Sequence, residues 1–171
     1  MVSIIPLGPP YPLACTPTDS LHPWYEYRQG RTRTVEDELE SIFDGAPTML
    51  RRVEWRSAIK ARIEVARRGS VPREKDAVER LHVADAVYEL KIPLDMNSEP
   101  PELARLYQVD LSWDGAPTIG CFRASRKLIF QEDHATRSAQ NSDIREASDR
   151  FERLCRTEPV ERLTSSTEGD A

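Results

Sequence analysis

A run of polar, mostly cationic side chains lies past the middle of the 171-residue chain: Arg123, Arg126 and Lys127, then His134, Arg137 and Gln140. Guanidinium and ammonium groups bind phosphate and stabilise the added charge of a pentacoordinate phosphorus transition state. A histidine beside them moves protons near neutral pH. The same residue types also furnish a solvated sheet edge, and Glu132 and Asp133 dilute the local field. Other chemistries lack their signatures. The sequence has no glycine-rich phosphate loop, no Gly-x-Ser-x-Gly elbow, no His-Glu-x-x-His and no Cys-x-x-Cys. His22, His82 and His134 are far apart and suggest no metal site, no carboxylate pair has acid–base spacing, and no cofactor is indicated.

The elements that must position these residues begin with the stretch from Tyr88 to Asp114. Character alternates from Tyr88 to Ile92, and again from Arg105 through Tyr107, Val109 and Leu111 to Trp113. A period of two means half-buried strands. Asp114-Gly115 follows, and Asp-Gly is a strong hairpin signal because the turn needs positive φ at both central residues. Strands are expected at Val83–Ile92, Ala104–Trp113, Thr118–Phe122 and Lys127–Phe130, with an irregular connection from Pro93 to Glu102. Arg123 would then end one strand, and Arg126-Lys127 would open the next.

Two helices come before the sheet. Thr34 is a good N-cap for the first, whose apolar face is Val35, Leu39, Ile42 and Phe43 and whose stop is Gly45 and Pro47. Leu50–Arg68 follows, with Trp55, Ile59, Ile63 and Ala66 as its buried stripe, positive charge on the remaining faces and Gly69 as its natural terminator. Gln131–Gln140 reads as a loop carrying His134 and Arg137. Asn141 or Ser142 then caps a final helix with a stripe of Ile144, Ala147, Phe151, Leu154 and Cys155. The class expected is α+β, an antiparallel sheet with helices before and after it.

Met1–Arg33 holds six of the 13 prolines and reads as a largely irregular arm, with Trp24, Tyr25 and Tyr27 placed to tack it onto the domain. Residues 34–157 form the expected domain, and 158–171 are a Ser/Thr/Glu/Gly-rich tail expected to be disordered. The net charge of −5 is unevenly spread. Leu50–Arg156 carries 20 Lys+Arg against 18 Asp+Glu, and the flanks carry 4 against 11. The acidity therefore lies outside the core, and a near-neutral core neither demands nor excludes a nucleic-acid partner. No apolar run approaches membrane length, and the N-terminus lacks the basic region of a secretory signal. Cys15, Cys121 and Cys155 are scattered and odd in number, which reads as reduced thiols in a cytoplasmic protein with no membrane partner.

One resemblance runs from about Leu50 to Arg156. It rests on Val87-Tyr88-Glu89-Leu90-Lys91, Arg105-Leu106-Tyr107, Trp113-Asp114-Gly115, Phe122-Arg123, and the Ala139-to-Arg150 helix entry with Gln140, Ile144 and Ala147. In that order they resemble the RelE/ParE superfamily of toxins, and within it the HigB-like, phage-derived branch. The resemblance implies two N-terminal helices packed on a twisted antiparallel sheet of three to four strands, with a C-terminal helix. It implies a metal-independent endoribonuclease acting on mRNA at the ribosome, neutralised by a helix-turn-helix antitoxin. By matched position Arg105, Arg123, Arg126 and Lys127 would surround the scissile phosphate, and Tyr107 or His134 would transfer protons. The chain departs from the family in lacking its Lys-Lys-Thr run, in the spacer from Leu128 to Arg137, and in its acidic flanks. The alternative is a relative that keeps the fold without the nuclease, a prophage-derived binding or regulatory module; a ParE-like gyrase poison is a third reading.

Overall fold

The computed structural model describes residues 4–7, 12–72, 78–80, 87–129 and 134–156. The elements are β1 (Ile4–Pro6), a 3-10 turn (Leu13–Cys15), β2 (Trp24–Glu26), α1 (Thr34–Asp44), α2 (Met49–Arg67), β3 (Val78–Arg80), β4 (Val87–Asp95), β5 (Glu102–Trp113), β6 (Ala116–Leu128) and α3 (His134–Arg156). The class is α+β, and the two helices before the main strands and the one after them stand in the expected order.

The sheet is larger than the expected three or four strands, and it is mixed. Its order is β2-β6-β5-β4-β3, with β1 also pairing β5. β3 through β6 run antiparallel, β1 pairs Leu111–Trp113 antiparallel, and β2 lies parallel to Ile119–Cys121 of β6. The arm is thus more ordered than its prolines suggest, because it supplies two strands and buries Ala14, Cys15 and Tyr27. The tail at 158–171 and the start of the strand expected from Val83 lie outside the described residues.

β5 and β6 form the long hairpin expected at Asp114-Gly115, whose φ values of 50° and 85° are the positive pair such a turn requires. The short strand expected at Thr118–Phe122 and the start of the one expected at Lys127–Phe130 are one strand, β6, which ends at Leu128; Phe130 lies outside the described residues. A register shift lets both Arg123 and Cys121 keep partners, Tyr107 and Gln108, so that Phe122 is the extra residue of a bulge. Its ring packs among Tyr25, Tyr27 and Phe151. β4 runs on to Asp95, through Pro93. Proline is tolerated there because β3 reaches only Leu90, which leaves that side of β4 without a ladder among the described residues.

α2 packs against β4, α1 against β6, and α3 across β4, β5 and β6. Arg126 stacks over Trp55 of α2, whereas Glu89 and Arg123 reach Gln140 and Asp143 of α3, so the two strand faces have different covers. Ala104 to Leu111 are consequently buried without a break. α3 also differs from expectation. It begins at His134, so the Gln131–Gln140 stretch is helical from its fourth residue and Asn141 and Ser142 are interior. Cys155 is exposed, while Ile144, Ala147, Phe151 and Leu154 form the buried stripe. No helix among the described residues is long and apolar enough to cross a membrane.

Candidate functional site

The odd-numbered positions of β5 and their partners on β4 and β6 face α3. Glu89 lies opposite Tyr107, Lys91 opposite Arg105, Ser125 opposite Arg105 and Lys127 opposite Leu103. Under the first turns of α3 these positions wall a cavity of about 260 Å³. Arg105, Tyr107, Ser125 and Lys127 line it from the sheet, Gln140 and Asp143 from the helix, and Arg126 from the end of β6. Four of the six residues expected at a phosphate site therefore converge.

Arg105 is buried, and its Nη1 lies 2.6 Å from Oε1 of Glu89, which is fully buried. The approach is too oblique to count as a hydrogen bond. Gln140 Nε2 donates to the other oxygen of Glu89 at 3.3 Å, which ties α3 to the sheet. The Tyr107 hydroxyl is buried, with no well-aligned hydrogen-bond partner among the described residues. Burial, then the Glu89 and Asp143 charges, push it up to about 12 against the opposing effect of Arg105. At neutral pH it is a phenol, and so a proton donor rather than a base.

Lys127 has no ion-pair partner among the described residues. Its ammonium is pulled below the ordinary lysine value, chiefly by burial and then by the Arg105 charge, with Glu89 opposing. Arg126 is engaged on several sides. It ion-pairs with Glu102 at 2.7 Å, donates to the Gly45 carbonyl at 3.0 Å and stacks 5.0 Å from the Trp55 ring centroid.

Arg123 is not among the residues lining the cavity. It is spent on carboxylates, Glu38 of α1 and, at 2.9 Å, Asp143 of α3. Arg150 joins the same cluster through Glu38 and Glu146, both at 2.8 Å, and Glu38 also accepts the Ala124 backbone N–H on the β6 edge. This network clamps α1, β6 and α3 together. Desolvation of Arg123 is outweighed by its two carboxylates, which hold its pKa above the ordinary value. His134 is the first residue of α3, and its side chain lies outside what is described.

Reading the sequence for cations missed the acids. Glu89, Glu102 and Asp143 set how the arginines are used, and Gln140 and Ser125 complete the walls. A signal for Glu89 was present: a carboxylate in mid-strand, alternating with Tyr88 and Leu90. Among the described residues, no group of three or more His, Cys, Asp or Glu could hold a metal ion. No protein-family model, no curated protein and no solved structure matches the chain.

Proposed function

We propose that the chain is a RelE/HigB-like endoribonuclease that cleaves mRNA without a metal and is held in check by a helix-turn-helix antitoxin. The observation that carries this reading is the convergence of Lys127, Arg105 and a protonated Tyr107 on one cavity beneath α3. Two helices, an antiparallel run of strands and a closing helix also fit what the resemblance implies. In this reading Lys127 and Arg105 face the charge that grows on the phosphoryl oxygens. The substrate 2′-hydroxyl gives its proton to solvent water and attacks phosphorus, the bond from phosphorus to the 5′-oxygen breaks, and Tyr107 gives its proton to that departing oxygen, leaving a 2′,3′-cyclic phosphate.

The test is incubation of the purified full chain with translating ribosomes and with a free oligoribonucleotide, each with and without EDTA. Cleavage that leaves 2′,3′-cyclic phosphate ends, survives EDTA and is lost in Lys127→Ala and Tyr107→Phe supports the reading. Intact RNA with a folded, soluble protein rejects it.

One observation favours the second reading, a binding module that has kept the fold and lost the nuclease. Arg105, Arg123 and Arg126 are each already paired with carboxylates, leaving Lys127 as the cavity's unpaired cation among the described residues. Retention of RNA on the wild-type protein without any cleavage is the outcome that selects this module.

A further inference from the structure

Asp110 lies on β5 beyond the cavity and on the opposite strand face from Tyr107. Both ends of the segment that links β1 to the 3-10 turn return to this one residue. Leu7 N–H donates to the Asp110 backbone carbonyl at 2.8 Å, and Leu13 N–H donates to its Oδ2 at 2.7 Å. The turn is fastened in its next residues as well. Val71 N–H donates to the Ala14 carbonyl at 2.9 Å, and Ala14 and Cys15 are buried.

The environment of the carboxyl is poor in partners. Asp110 is 3% exposed, and its Oδ1 has no hydrogen-bond partner among the described residues. Two residues along the same strand face, the Gln108 amide is fully buried and equally unsatisfied at both of its polar atoms. Ile119 lies directly across on β6, and Val87 of β4 pairs with the adjacent Val109. Among the described residues, the titratable groups of the segments packed here include the buried thiols Cys121 of β6 and Cys15 of the turn, and the buried His22, whose Nε2 lies 3.2 Å from the Thr16 carbonyl oxygen. Of the charges on those elements, Arg67 of α2 pairs with Glu64 and donates to the His22 carbonyl, Arg123 of β6 pairs with Glu38 and Asp143, Lys127 of β6 lines the cavity on the other strand face, and Arg62 of α2 has a buried Nε without a hydrogen-bond partner among the described residues.

We infer that Asp110 is a proton-operated clasp for the N-terminal arm, closed when its carboxyl is neutral and loosened when the carboxyl ionises. A buried carboxylate with one N–H donor and no cation paired to it among the described residues carries a large desolvation cost, which opening of the arm relieves. Burial accordingly pushes the group up to about 7, with the Leu13 N–H opposing. The sign follows from linkage. The closed state holds its proton at a pH where the opened, solvated carboxyl has lost its own, so closure weakens as pH rises from about 4 to about 7 and changes little above that.

The test is amide hydrogen exchange on the full chain, corrected for intrinsic rates. Protection at Leu13, Ala14 and Cys15 should fall by up to about tenfold per pH unit across that window. It should be flat in Asp110→Asn, which keeps an acceptor for Leu13 but cannot ionise. Equal wild-type protection at both ends of the window, or the same loss in Asp110→Asn, overturns the clasp. If the variant does not fold, the wild-type Asp110 carboxyl carbon can be followed by NMR. A midpoint near neutrality with the Leu13 amide shift moving in step supports the clasp, and titration in the ordinary aspartate range overturns it. None of these readings depends on RNA.

Discussion

The Arg105 guanidinium lies 2.6 Å from the Glu89 carboxylate on the neighbouring strand, with both side chains out of solvent. Such a pair adds little net stability, yet losing one partner strands the other charge in the interior. Glu89→Gln should therefore cost about 3–5 kcal/mol. Replacing both, Glu89→Leu with Arg105→Met, should restore much of that. Urea unfolding of the single and double variants measures it. A single variant as stable as wild type would mean that Arg105 finds another acceptor.

That pair also explains which part of the molecule was legible. Period-two alternation placed β4 and β5, and Leu90 and Ile92 of the one and Tyr107, Val109 and Leu111 of the other are buried as expected. The same rule implied that the alternate positions meet water. They do not: Glu89 of β4 and Ala104, Leu106, Gln108 and Asp110 of β5 are buried too, because helices cover both strand faces. Coverage by a distant helix is a tertiary fact that no short window of sequence contains. Arg123 was misplaced for the same reason. Its cation is obvious in the chain, but its carboxylates, Glu38 and Asp143, come from 85 residues before it and 20 after. Asp114-Gly115 was readable because the turn's demand for positive φ is met by the residues themselves.

Lys127 separates the site from the scaffold. It makes no ion pair among the described residues, so Lys127→Ala should change stability by less than about 0.5 kcal/mol. If the cavity holds a phosphate in its transition state, cleavage should fall on the order of a hundredfold or more. Arg123→Ala should behave oppositely, with a clear loss of stability, because it strips Asp143 of its guanidinium and leaves Glu38 the guanidinium of Arg150 alone. Thermal melts paired with single-turnover cleavage make the comparison. Equal destabilisation by both substitutions would contradict this division of labour.

Tyr107→Phe removes a buried hydroxyl that lacks a well-aligned partner, and the ring that fills the core remains. Its stability should match or slightly exceed that of wild type, since an unsatisfied buried polar group costs about 1–3 kcal/mol. As a general acid, its loss should slow cleavage by about 10²–10⁴-fold. Burial and the neighbouring carboxylates push the phenol up to about 12. The acid form therefore persists through pH 10, and wild-type turnover should show no alkaline fall attributable to this group below that point. A rate limb near the ordinary tyrosine value, abolished by Tyr107→Phe, would show that the hydroxyl is better solvated than its position indicates.

Gly69 ends α2 with φ at +66°, and a Cβ there would stand 1.8 Å from the Thr16 carbonyl oxygen. The left-handed backbone alone costs a non-glycine residue about 1–2 kcal/mol. The steric conflict adds to it, because the obstacle is backbone rather than a side chain that can swing away. That backbone belongs to the segment following the 3-10 turn, which is pinned by Ala14, Val71 and Asp110. Gly69→Ala should thus cost more than the left-handed term by itself, and should lower the melting temperature by several degrees. Gly30 provides the control: its φ is +60°, but a Cβ there meets nothing within 4 Å, so Gly30→Ala should show the backbone term alone. The difference between the two melting shifts isolates the contact between the end of α2 and the N-terminal arm. Equal shifts would mean that the arm moves aside at little cost.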